Sequence, residues 1–158
     1  MRHVWEEDVL SDKEQYLKHL HMWLEAMFSA LEQQTDEETR TSMLESCGRA
    51  CARHGGVVTK AKAIKDNGKK IDELLDNLSR ETSGLVEWRR EGNVVQLVYK
   101  KCFCTLRKEE LVKSPTFCSC SCGWIKEVFE TASGKPVKVE CQQTIGRGDP
   151  ICKFIIRP

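Results

Sequence analysis

The chain has 158 residues, 25 Lys and Arg against 24 Asp and Glu, and 40% hydrophobic content, a balance that fits one folded domain with an ordinary core. A net charge of +1 gives no general attraction to nucleic acid or anionic lipid, which excludes both as default partners. Nine cysteines, an odd number, point to thiols or metal ligation in a reducing compartment more than to a disulfide framework.

The opening stretch MRHVWEEDVLSDKEQYLKHL carries acids where a signal peptide needs an apolar run, and no later stretch reaches the ~20 apolar residues of a membrane span. A cytoplasmic protein is expected. Ser11 and Glu14 have capping-box spacing, and Leu17, Leu20, Leu24, Met27, Phe28 and Leu31 recur with helical period, predicting a helix over 12–33. Thr35 and Glu38 repeat the signature. Met43, Leu44, Cys47, Ala50, Cys51 and His54 continue a second helix until Gly55-Gly56 stops it, with two thiols and an imidazole read as part of its apolar face.

VVTKAKAIK predicts a short third helix broken at Asn67-Gly68, and Ile71, Leu74, Leu75 and Leu78 a fourth. After Ser83-Gly84 the pattern changes: LVEWRR, EGN and VVQLVYKKCFC read as strand, turn and strand, with Cys102 and Cys104 alternating on one face of the second. A polar connector over 105–115, with one helical turn, leads to FCSCSCGW. A helix of about three turns is expected from near Cys122 to Gly134, followed by two alternating strands around the turn IGRGDP, whose Asp149 is read as a turn residue. Strand alternation allows registers that place Cys141 opposite Cys152 or, two residues away, opposite Phe154. The expected fold is α+β in one domain over 1–158: a helical part (1–82) packed on a four-stranded antiparallel sheet whose C-terminal part (83–158) runs β-β-α-β-β.

The chemistry-bearing residues are the thiols. Three cysteines at alternate positions, Cys118, Cys120 and Cys122, converge poorly on one ion, because zinc needs its ligand sulfurs within about 3.8 Å of each other. One or two of them would instead join distant cysteines, Cys141 and Cys152 on the last hairpin or Cys102 and Cys104. Cys120, Cys122, Cys141 and Cys152 are therefore the first zinc candidates. Cys118, Glu140, Cys102, Cys104 and the helix trio Cys47, Cys51 and His54 form a second tier. For the cysteines the competing reading is that they are buried small apolar residues or free thiols.

Cys122, expected at a helix N-terminus that would favour its thiolate, is also the candidate nucleophile of a cysteine enzyme. His3, His19 and His21 show no partner pattern. Trp23, Phe28, Trp88, Tyr99, Phe103, Phe117, Trp124, Phe129 and Phe154 read as core, or in part as the lining of an apolar ligand pocket between helices and sheet.

The run CSCGWIKEVFETASGKPVKVECQQTIGRGDPICKFIIRP resembles the ending of the 4-vinyl reductase (hydrocarbon-binding) domain family. Its relatives include proteins like L-2-amino-thiazoline-4-carboxylate hydrolase. The resemblance rests on a Cys and Gly opening a helix, a strand bearing Glu or Cys, a Gly-Asp turn, and a Cys before Phe in the last strand. It implies an α+β small-molecule-binding domain, often dimeric, with in some members a zinc held by cysteines and a carboxylate; together with the residues it gives the expectation of a cytoplasmic, sensor-like domain for an apolar or aromatic small molecule. Cys120 or Cys122 would match the cysteine before the helix, Glu140 the acidic strand residue, and Cys152 the last ligand. Thr144 stands where zinc-binding members have a further cysteine. The alternatives are a cysteine-dependent hydrolase of a small cyclic amide or thiazoline, and a thiol redox or iron-sulfur protein. The motifs CGRAC and KCFC also resemble a subgroup of uncharacterised cysteine-rich bacterial or archaeal proteins.

Overall fold

The computed structural model describes residues 11–157, so the expectation for His3 lies outside the described residues. Helix α1 (Asp12–Gln34) opens on the predicted capping box: the Ser11 hydroxyl accepts from the Glu14 amide, and the Glu14 carboxylate accepts from the Ser11 amide at 2.8 Å. Helix α2 (Glu37–His54) is capped by Asp36, not Thr35, because the Asp36 carboxylate accepts from the Thr39 amide at 2.7 Å. The α3 helix (Val57–Asp66) follows Gly56, whose φ of 76° turns the chain out of α2. Next come α4 (Ile71–Glu81), the hairpin β1 (Val86–Glu91) and β2 (Val94–Tyr99), and the single turn α5 (Thr105–Lys108).

A 3-10 turn over Pro115–Ser119 feeds α6 (Cys120–Ser133), which ends where Gly134 adopts φ 70°. Strands β3 (Lys138–Gln143) and β4 (Cys152–Arg157) complete an antiparallel sheet of order β1-β2-β4-β3. The fold is α+β, as the patterning predicts. The β3–β4 register is the one that sets Cys141 opposite Phe154, with a bulge between Cys141 and Gln143. One departure concerns β2. It stops at Tyr99, so Cys102 and Cys104 lie in irregular chain beyond the strand instead of alternating along it.

Helix α6 is buried on two sides, which its sequence accounts for. Cys122, Ile125 and Phe129, at i, i+3 and i+7, pack on the inner sheet face with Leu75, Val86, Val95, Leu97, Cys152, Phe154 and Ile156. Val128 and Ala132 face the other way, onto Ala52, Val57, Ala61, Ile64 and Leu74 of α2, α3 and α4. Each large apolar side chain removed from water here contributes about 1.5–3 kcal/mol. A third cluster, Phe28, Leu44, Val112 and Phe117, fixes α1 to the body, and the Phe28 and Phe117 rings meet edge to face at 5.4 Å.

The α2–α6 crossing is glycine-dependent. A Cβ on Gly48 would lie 2.8 Å from the Cys120 carbonyl carbon and 2.9 Å from the Trp124 amide nitrogen, and one on Gly123 would lie 2.5 Å from the Glu45 carbonyl carbon. The two backbones touch with no side chain between them. Ion pairs flank the crossing: Lys126 with Glu45, Arg49 with Glu127 and Glu130, and Arg53 with Glu127.

This crossing corrects the apolar face expected for α2. Its buried residues are Leu44, Gly48 and Ala52, a stripe at i, i+4 and i+8, while Met43, Cys47, Ala50, Cys51 and His54 are exposed. Gly48 takes the middle of the buried stripe because only a residue without a side chain admits α6 this closely. Trp23 and Phe103, expected in the core, are also exposed, at 55% and 40%. Among the described residues no helix is long and apolar enough to cross a membrane.

Candidate functional site

The glycine crossing sets the start of α6, and with it the thiols of FCSCSC, against the ends of β2, β3 and β4. Cys122, in the first turn of α6, is buried in the core cluster against which half-buried Cys141 of β3 packs. The neighbouring Cys141 thiol, burial and Glu45 push the Cys122 thiol up, with Lys126 opposing. Cys141 moves the other way: the neighbouring Cys122 thiol holds it below the ordinary thiol value, helped by Arg147 and opposed by burial and Asp149. As a thiol, Cys141 donates to the Gln143 carbonyl at 3.7 Å.

The remaining thiols extend from this pair. Cys152 is buried at the start of β4, accepts from the Ile145 amide at 3.4 Å, and lies within electrostatic reach of Cys118, Cys102 and Cys141. Burial raises it. Cys118, also buried and raised by burial, faces Thr144, Gly146 and Arg107. The Arg107 guanidinium is fixed by donating to the carbonyls of Ser114 at 3.1 Å and Gly146 at 3.3 Å. Cys120 is pushed up to about 12, by burial and then by the nearby thiols of Cys104, Cys118, Cys51 and Cys47. The cysteines of α2, the segment after β2, the turn before α6, α6 and both last strands are thus electrostatic neighbours of one another.

A chain of neighbours is not a ligand set. Among the described residues no group of three or more His, Cys, Asp or Glu side chains is arranged to hold a metal ion. Of the zinc candidates, Cys122 packs in the sheet core beside Cys141, Cys120 faces Cys104 and Cys118, and Cys152 is engaged by the Ile145 amide. Glu140 points to the opposite sheet face, as strand alternation beside an inward Cys141 requires, and bonds Arg157 at 2.8 Å. His54 is exposed at the end of α2, and His21 contacts the Leu111 carbonyl at 3.2 Å through Nδ1. This geometry lends no support to a tetrahedral zinc site built from those residues.

Sequence reasoning missed the parts played by Thr144 and Gly146. Thr144 is fully buried and its hydroxyl makes no close hydrogen bond, leaving it turned toward the Cys118 thiol. Gly146 leaves room for that thiol, since a Cβ there would collide with the Cys118 sulfur and approach Arg107 Cζ to 2.9 Å. The Thr144 amide donates to Asp149 at 2.8 Å, so Asp149 fixes the turn as its position suggests. The signal available in advance was the second glycine of IGRGD: of the two only Gly148 has a positive φ, so Gly146 serves close approach instead of backbone freedom.

Aromatic rings close the thiol layer. Tyr99, at the end of β2, packs edge to face on Phe103 at 5.8 Å and tilted on Phe154 at 5.6 Å, its hydroxyl raised by burial and by Cys152. Two depressions on the surface have other linings. One of about 520 Å³ is bordered by Glu37, Glu38, Thr41, Ser42 and Glu45, and one of about 320 Å³ by Ser79, Glu87, Trp88, Arg89, Gln96 and Val98.

The fold is shared with solved structures. A trafficking protein particle complex subunit 3 from Naegleria fowleri, covalently bound to palmitic acid, superposes with a TM-score of 0.54 at 12% identity, over 91% of this chain and 95% of that one. The phenol-responsive sensory domain of the transcription activator PoxR, with phenol, superposes with a TM-score of 0.52 at 17% identity, over 82% of this chain and 69% of that one. No curated protein matches the sequence. Residues 3–158 match the model of DUF6144, a family of unknown function, and the chain belongs to that family.

Proposed function

We propose that this domain binds a small apolar molecule, an aromatic ring or an acyl chain, in the thiol- and ring-lined layer between the start of α6 and the inner sheet face. The observation that carries the reading is the shared framework: one fold neighbour holds phenol and another a covalent palmitic acid. The resemblance of the C-terminal run to the hydrocarbon-binding family points the same way. The lining suits such a guest, because Tyr99, Phe154, Cys152 and Trp124 present apolar, polarisable surface with one phenolic hydroxyl to fix orientation. Neither surface depression offers this, both being lined largely by charged or polar groups.

Binding requires the ring of Phe103 to yield, since it covers Tyr99 from the solvent side on a segment without regular structure. A thermal-shift series with phenols and with saturated fatty acids tests the reading. At a ligand concentration of 100 times Kd the folded state gains about 2.7 kcal/mol. For a domain of this size that raises Tm by roughly 5–10 °C. Tyr99→Phe should weaken the response to phenols more than to fatty acids. A Tm unmoved by either class at millimolar concentration overturns the proposal.

A further inference from the structure

Helix α1 rests on the fold by a narrow footing. No residue from Asp12 to Met27 is buried, and Phe28 is the buried residue of the helix. Its side-chain contacts gather on one stretch of chain. His21 Nδ1 meets the Leu111 carbonyl at 3.2 Å, the Lys113 amide donates to Glu25 at 2.7 Å, the Ser114 hydroxyl donates to Glu32 at 2.6 Å, and the Phe117 ring packs on Phe28. At its C-terminal end α1 is tied to the turn into α2: the Thr35 hydroxyl donates to the Leu31 carbonyl at 2.6 Å, and Arg40 donates to the Glu32 carbonyl at 2.9 Å. The helix is thus fixed at one end and clipped along its length to 111–117.

Most of that stretch belongs to a flap, residues 102–114, that is bonded within itself. The Leu111 and Val112 amides donate to the Leu106 carbonyl at 2.8 and 3.3 Å, and Arg107 donates to the Ser114 carbonyl at 3.1 Å. Apart from the single turn α5 the flap has no regular structure. Arg107 also donates to the Gly146 carbonyl at 3.3 Å, which ties one edge of the flap to the turn after β3. Two adjacent flap residues serve different neighbours. Cys104 packs against the cluster of Phe28, Leu44, Val112 and Phe117 that α1 covers, whereas Phe103 lies edge to face on Tyr99, at the ring that closes the thiol layer.

We propose that α1 is a latch on this flap and that the flap carries the gate to the ligand layer; the gate rests on the ligand-binding reading above. With α1 seated, Cys104 and Val112 are pinned and Phe103 is held on Tyr99. When α1 pivots at its Thr35 end and leaves 111–117, the flap loses its outer support and Phe103 is released from Tyr99. The body stays folded through this step, because the two clusters that α6 shares with the sheet and with α2, α3 and α4 contain no residue of α1. Such a sub-global opening belongs to the element with few buried contacts, and α1 is that element.

The test is hydrogen exchange and iodoacetamide labelling, both mapped by mass spectrometry, on the unmodified chain and on Glu25→Ala/Glu32→Ala, which removes two of the clips. In the unmodified chain the amides of α1 and the flap should exchange faster than those of α6. In the double variant both should speed up together by roughly tenfold or more, with α6 unchanged. Cys104 should label faster to match, and Cys122, in the sheet core, should not. Lauric acid, mixed by stopped flow and followed through tryptophan fluorescence, should associate faster with the variant. Ser114→Ala removes the Glu32 clip from the flap side and gives the same comparison at smaller size if the double variant fails to fold. An α1 that exchanges no faster than α6, or a loosened α1 with the flap and Cys104 as protected as before, overturns the latch. Faster flap exchange with an unchanged lauric acid association rate overturns the gate. A chain that binds no apolar ligand overturns the ligand-binding reading and the gate with it, while the exchange coupling still decides the latch, so the two failures are told apart.

Discussion

Replacing Gly48 by alanine places one methyl group where two helix backbones meet. The added Cβ would lie 2.8 Å from the Cys120 carbonyl carbon and 2.9 Å from the Trp124 nitrogen, against an ordinary carbon contact of about 3.5–4.0 Å. Neither obstacle is a side chain that can turn away. The helices must separate by on the order of 1 Å, and α6 carries the inner core with it, including Ile125, Val128 and Phe129. Overpacking a well-filled interior costs about 1–3 kcal/mol and more where backbone must move. Alanine returns about 1 kcal/mol in helix propensity over glycine. We expect Gly48→Ala to lose a net ~2–3 kcal/mol, which lowers Tm by roughly 5–10 °C for a domain of this size.

Gly123→Ala should behave alike, since its Cβ would meet Glu45 at 2.5–2.6 Å from the carbonyl carbon and Cα. The double variant should cost less than the sum of the two, because helices already parted by one methyl admit the second. Gly55→Ala serves as the internal control: its φ is −76°, and its Cβ would lie 3.4 Å from the nearest atom, the Cys51 oxygen. It should be neutral or gain up to about 1 kcal/mol. Urea titrations followed by far-ultraviolet circular dichroism give all four values. A Gly48→Ala midpoint equal to that of the unmodified chain would refute the crossing and, with it, the placement of every cysteine in α6.

Two further outcomes follow from the site and its supports. Gly146→Ala should destabilise by about 1–2 kcal/mol through collision with the Cys118 sulfur, and Cys118→Ala should remove most of that penalty in the double variant, which a thermodynamic cycle measures directly. Arg49→Met should cost about 1–2 kcal/mol at neutral pH, since Arg49 donates to Glu127 at 3.0 Å and Glu130 at 2.7 Å from a largely covered position. Burial pulls both carboxyls up, but the arginines pull harder and leave both below the usual range. Depressed folded-state values mean that this stability is present above the unfolded value of about 4.3 and is lost as pH falls below it. The gap between Arg49→Met and the unmodified chain in urea titrations should therefore close near pH 3, and a gap independent of pH would show that the network is not its source.

Much of the architecture was legible because it rests on local signals. Capping by Ser11, the stops at Gly55-Gly56 and Gly134, and clean alternation in KVECQQ and CKFIIR each act within a few residues. Alternation also gave the inward direction of Cys141 and Cys152. What it does not carry is which helix lies over them. The neighbour of Cys141 is decided by how far α6 slides along the sheet, and that depends on α2 pressing its backbone on α6 at Gly48 and Gly123. A mid-helix glycine costs about 1 kcal/mol, so two of them in long helices were a readable sign of a close crossing. The α2 face was misread for the same reason: Cys47, Cys51 and Met43 look more apolar than Gly48, yet only the glycine fits where the helices touch.

The same crossing explains why so many cysteines gather at one end of the sheet. Bringing backbones together at Gly48 and Gly123 lowers α6 onto the sheet end and packs its first turn among thiols from four other segments. At this packing density the side chains between them must be small and tolerant of irregular contacts, and cysteine meets that demand as a compact, polarisable group. Tetrahedral ligation asks for more: four sulfurs equidistant from one point, with space for the ion. Among the described residues no group of three or more His, Cys, Asp or Glu side chains is arranged in that way, and Cys122 and Cys152 serve instead as core, packed with Ile125, Phe129 and Phe154.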